Sequence, residues 1–185
     1  IVLSATYARS SSTLPANKDD DRFFSHAVRR TLEPEVLADA VSDVLGVPDK
    51  YGSEPTGTRA VALMNSKTPS TSLDVLGRCG REASCESDAI AGGLPQKLHL
   101  LNGPFLNARI GVADGRLKRL ISKGKSPMDI IGEFYFAGLS RPPTNEEVEY
   151  WAEQLDAFTS AEQQYEYLED FVWGLLTSSE FVTNH

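Results

Sequence analysis

The chain has 185 residues, 41% of them apolar, and a formal net charge of −8. That length fits one domain, and the acidic balance argues against a nucleic-acid footprint or a polybasic membrane-surface patch. No run of about 18 apolar residues occurs, so no segment reads as a bilayer span.

Residues 1–31 read as a short apolar lead-in followed by a polar loop. IVLSATYARSSS lacks the basic start and long apolar stretch of a secretory signal, and it lacks an initiator Met. The lead-in is therefore expected to continue from an upstream domain, with any targeting signal before it. SSSTLPANKDDDR has the Ser, Asn and Asp content of an exposed connection. Residues 32–185 read as a single helical domain with an irregular insert over 49–93. Its first helix has Pro34 in the first turn, where a missing N–H is harmless. Val36, Leu37, Ala40, Val41, Val44 and Leu45 form its apolar stripe, and Gly46 and Pro48 stop it.

Helical periodicity disappears over 49–93. The AVALM stretch at 60–64 is compatible with a strand or an extended buried strip, and a loop this long is usually functional or docked. Helix signals return at LPQKLHLLN, with Pro95 near its start, and continue in FLNARIGVADGRLKRLISKG, interrupted near Gly111 to Gly115. Ser126 with Asp129, Thr144 with Glu147, and Ser160 with Gln163 each have capping-box spacing ahead of an apolar period. The expected fold is mainly α. A C-terminal helical bundle is preceded by a long irregular segment with room for one or two short strands.

Several strings, in this order, resemble one family: SHAVRRTLEPEVLADAVSDVLGVPDKYG, GTRAVALM, LDVLGRCGREASCES, LPQKLHLLNGPFLNARI, LSRPPTNEEVEYW and LLTSSEFVTNH. Together they resemble the planctomycete surface-domain family, a domain of unknown function, with blocks running from about residue 1 to 185. The resemblance implies an extracytoplasmic protein, at the periplasm or cell surface, whose other domains include a cytochrome-c-like one. It implies no reaction and no catalytic residue. In that family Gly-Arg, here Gly77 and Arg78, is often followed by proline, and the cysteine matching Cys85 by another two positions on. Here Cys79 and Ser87 occupy those places. One thiol has moved while the count of two has stayed, which fits thiols that pair with each other.

Cys79 and Cys85 have three readings. Six helical steps rotate by about 240°, so a regular helix would not bring them together, whereas a Gly-bearing loop can reach the ~4.4–6.8 Å Cα separation of a disulfide. An extracytoplasmic compartment lets such a bridge persist. For a metal site, His99, Glu82, Glu86 and Asp88 are the nearby ligand types, but no CxxC or HxxxH pair exists, and a chance cluster explains them better. A reactive thiol would have Arg78 and Arg81 lowering its pKa, Glu82 and Glu86 raising it, and His99 as base. Lone histidines such as His99 and His26 are more often hydrogen-bonded structural side chains. No CxxCH motif occurs, and no metal or cofactor is expected within this stretch.

The carboxylates Glu33, Glu35, Glu146, Glu147 and Glu149 sit at helix starts, where acids complement the dipole, and suggest no glycosidase pair. Arg29, Arg30, Arg59, Arg78 and Arg81 cluster in or beside the irregular half. They read first as ties for a loop without periodicity. Their functional reading is an anion- or glycan-binding cleft of Arg59, Arg78, Arg81 and Glu82. Tyr51, Trp151 and Trp173 read as core or interface residues before they read as sugar platforms. The function expected is a non-catalytic helical module packing against neighbouring domains of the same polypeptide. The alternative is a surface, or half of an active site, for processing acidic polysaccharide.

Overall fold

A computed structural model describes residues 3–5, 11–20, 22, 23, 25–27, 29–78 and 103–184. Among these, eight α-helices and one 3-10 turn occur, and there is no sheet. The helices are α1 (Pro34–Leu45), α2 (Thr71–Leu76), α3 (Pro104–Ile110), α4 (Arg116–Ser122), α5 (Pro127–Leu139), α6 (Asn145–Asp156), α7 (Ala161–Thr177) and α8 (Ser179–Val182). The mainly helical fold with its bundle is as expected. LPQKLHLLN, both cysteines, Arg81, Glu82 and His99 lie outside the described residues.

Helix α1 begins with Pro34 in its first turn and ends on Gly46 at φ 65°. Leu37, Ala38, Val41, Val44 and Leu45 are fully buried, as a 3.6-residue apolar period requires, whereas Val36 of the expected stripe sits at its edge, 41% exposed, and Ala40 is only partly buried. It packs against α2, α3, α4 and α5, which places it at the centre of the N-terminal half. Helix α5 links this half to the C-terminal one: Ile130, Ile131, Phe134 and Tyr135 face α1, α6 and α7. Phe171 of α7 meets Phe134 edge-on at 6.3 Å and Tyr135 stacked at 6.0 Å between ring centroids. One continuous core runs from Leu37 to Phe181.

The three capping positions are real, with different chemistry. Thr144 and Glu147 form the full reciprocal box. Ser160 accepts the Gln163 N–H without the return bond, and Ser126 accepts the Asp129 N–H while its own hydroxyl donates to Asp129 Oδ2 at 2.7 Å. The start and finish of the described helical region are tied together. Thr31 and Thr183 form an antiparallel bridge, the Leu32 N–H donates to the Val182 carbonyl, and the Asn184 N–H donates to the Arg30 carbonyl.

The irregular insert corrects two expectations. AVALM is neither a strand nor a buried strip. Ala60–Ala62 is a 3-10 turn with Ala60 buried, while Val61 and Met64 are exposed. The cause is Asp39 on α1, whose buried carboxylate accepts the N–H groups of Ala60 at 2.7 Å and Val61 at 3.2 Å. That is the work of an N-cap residue, done from 21 residues away. Second, the insert contains α2, capped by Ser70 accepting the Leu73 N–H and closed by Gly77 at φ 93°. Leu73 and Leu76 of α2 are fully buried, so part of the insert belongs to the core.

Candidate functional site

Of the four residues nominated for anion binding, Arg59 and Arg78 fall within the described structure, and they sit in separate depressions. Arg59 borders a polar cleft of about 390 Å³ with Asp39, Asp43 and Asp49. Its Nη2 meets Asp43 Oδ2 at 2.9 Å and its Nε meets Asp39 Oδ2 at 3.3 Å. The Asp43 bond and the Asp39 charge push its pKa up. Arg78 is more firmly held, donating to the Thr68 carbonyl at 2.7 Å and to Asp74, with only 6% of its side chain exposed. Both arginines tie loop to helix, as a segment with few backbone partners requires.

Three other arginines act as ties that the linear sequence did not suggest. Helix α1 has no basic residue in its last turn, and its last carbonyls need donors. Arg116 of α4 donates to the Val44 and Asp43 carbonyls, and Arg109 of α3 donates to the Val47 carbonyl and to Ser42 Oγ. Arg119 donates to the Asp114 carbonyl beside Gly46. Cations at this end also complement the helix dipole. Burial pushes the Arg109 pKa down, opposed by Asp49 and Tyr51. Burial, with Asp49 and Asp39, pushes the Tyr51 phenol up. Arg109 Nε and Nη1, Asp49 Oδ2 and the Tyr51 hydroxyl are buried without a hydrogen-bond partner among the described residues. Arg109 instead lies over the Phe105 ring at 5.2 Å.

A second concavity of about 390 Å³ opens where α5, α6, α7 and α8 converge. Its wall is aromatic: Tyr135, Tyr150, Trp151, Tyr167 and Phe171 all line it. Trp151 meets Tyr150 and Phe171 edge-on, each at 4.9 Å, and its Nε1 donates to the Tyr135 hydroxyl at 3.1 Å. Burial pushes the Tyr135 and Tyr167 phenols up, and for Tyr167 the adjacent Tyr150 hydroxyl adds to the shift. At one end, Arg141 bridges Glu147 and Glu180 through bonds of 2.8 and 2.9 Å and lies over Tyr135 at 5.2 Å. Periodicity alone marks Trp151 as an apolar-face residue; the cleft exists because four helices meet there.

The insert also presents apolar surface. Val61, 56% exposed, borders a depression of about 410 Å³ together with Val36 of α1, 41% exposed, Leu63 and Arg78, and Met64 beside Leu63 in the chain is 94% exposed. No cluster of three or more His, Cys, Asp or Glu side chains able to hold a metal occurs among the described residues. No helix of the described structure is long and apolar enough to cross a membrane.

No curated protein and no solved structure matches the chain. One family model does match, over residues 1–155, ending within α6 and before α7 and α8. That match covers most of the chain, with the α1, insert and α5 segments in a single alignment. The chain thus belongs to the family described as a protein of unknown function, DUF1553, also designated PSD1.

Proposed function

We propose that this chain is a non-catalytic helical module that docks onto neighbouring, cytochrome-c-like domains of one extracytoplasmic planctomycete-type polypeptide. The observation that carries the reading is exposed apolar surface: Val36 of α1 and Val61 of the insert border one depression, and Met64, three residues on from Val61, is exposed too. Contiguous apolar surface with a polar border is the usual mark of an interaction site. The 3-10 turn displaying Val61 is fixed by Asp39, so this surface is presented by a preorganised element. The compartment and the neighbours rest on the family resemblance, as does a Cys79–Cys85 disulfide. Acidic polysaccharide binding is the weaker reading. It draws on arginines of which Arg59 and Arg78 already hold Asp43 and Asp74.

The test is hydrogen exchange at the amides of residues 61–64, comparing the 185-residue chain with a longer polypeptide that includes its neighbours. Protection appearing only in the longer protein, and lost in Val61→Asp/Met64→Asp, supports docking. Equal exchange in both overturns it. Intact mass after alkylation of the non-reduced, denatured protein tests the bridge: labelling of both cysteines rules it out.

A further inference from the structure

We infer that the aromatic cleft between α5, α6 and α7 binds an arginine-bearing segment of a partner polypeptide. Charge supplies the first argument. Residues 145–185 hold ten of the 26 acidic residues and no Lys or Arg, so all 18 basic residues lie in the preceding 144. At the cleft Glu147, Asp170 and Glu180 outnumber the adjacent Arg141, and that negative excess repels anionic glycans and nucleic acid and attracts cations.

The cleft's own chemistry supplies the second. At its Tyr135 end the chain provides a guanidinium itself: Arg141 lies over the ring and pairs with Glu147 and Glu180. Elsewhere on the same wall Tyr150, Trp151, Tyr167 and Asp170 supply aromatic rings and a carboxylate. The Asp170 carboxylate makes no hydrogen bond or ion pair with the described residues and is exposed, and Tyr150 is 52% exposed. Planar guanidinium stacks on such rings better than a compact ammonium does, which favours Arg over Lys.

The third argument is Gly174, within α7 and lining the cleft. A Cβ added there would meet nothing within 4 Å, so packing does not demand glycine. A helix-interior glycine carries a penalty, and here its effect is to leave the cleft floor open.

The experiment titrates the 185-residue chain with a fluorescent Gly-Arg-Gly-Arg-Gly-Arg peptide and follows the Trp151 indole N–H resonance. The Arg peptide is expected to shift Trp151 and not Trp173, while a citrulline analogue binds at least tenfold more weakly. Asp170→Asn and Tyr150→Ala are each expected to weaken binding about fivefold to tenfold. Glu153→Gln/Glu162→Gln, whose acids lie outside the cleft, is expected to change it less than twofold. Equal affinity for the citrulline peptide, or equal losses in both sets of variants, overturns the proposal. So does a Trp151 shift produced by a neutral hexasaccharide but not by the Arg peptide, or self-association of the chain that occludes the cleft.

Discussion

Arg116 Nε donates to the Val44 carbonyl at 2.7 Å, from 72 residues further along the chain. Its Nη2 adds a bond to the Asp43 carbonyl at 3.0 Å. The C-terminal end of α1 is therefore closed by the side chain of α4, and the α1–α4 packing depends on a charged hydrogen bond as well as on apolar contact. A charged donor to a carbonyl contributes more than a neutral one, about 1.5–3 kcal/mol. Arg116→Met should lower stability by about 2 kcal/mol in urea denaturation. Arg116→Lys should fall between, because an ammonium cannot span both carbonyls as the guanidinium fork does.

Asp39 governs the insert in the same way. Its carboxylate is 4% exposed as a residue and holds two backbone N–H groups of the 3-10 turn together with Arg59. Asp39→Ala leaves those donors without an acceptor, at about 1–3 kcal/mol for each buried group. A loss of about 2–4 kcal/mol is expected, with faster hydrogen exchange at the amides of residues 60 and 61 before any change in α7.

Much of the helical half was legible because its signals are local. Pro34, Pro127, Thr144 and Ser160 each sit where a first turn or cap needs them, and apolar spacing within one helix names its buried face. Helix α2 was also locally signalled, by Ser70 and Gly77, but six residues are too few for periodicity to emerge from a polar background. The 3-10 turn, the arginine closure of α1 and the aromatic cleft were hidden for a different reason. Asp39 acts at Ala60, Arg109 at Val47, and Trp151 at Tyr135, so each depends on which segments meet in space.

Acid sensitivity should centre on Arg141. Its bonds hold the Glu147 carboxyl at about 2, below the ordinary 4.5. The folded carboxyl is the stronger acid, so its stabilising contribution is complete above about pH 4.5. It is lost progressively as pH falls from there towards about 2. The melting temperature should fall across that window, and Arg141→Met should flatten the fall while lowering stability by about 1 kcal/mol at neutral pH, given the partial exposure of the pair.

Two glycines should respond to alanine in opposite directions, which separates backbone need from open space. Gly46 closes α1 at φ 65°, a conformation that costs an L-residue about 1 kcal/mol. A Cβ there would also run into the Arg119 guanidinium, which can swing aside only by weakening its bond to the Asp114 carbonyl. Gly46→Ala should therefore destabilise by about 1–2 kcal/mol. Gly174 has ordinary helical backbone and free space around the added methyl, so Gly174→Ala should stabilise by about 0.5–1 kcal/mol. Thermal denaturation of the two variants beside the parent chain checks both signs. If Gly174→Ala destabilises instead, the cleft floor is tighter than the geometry indicates, and the room available to an arginine side chain shrinks with it.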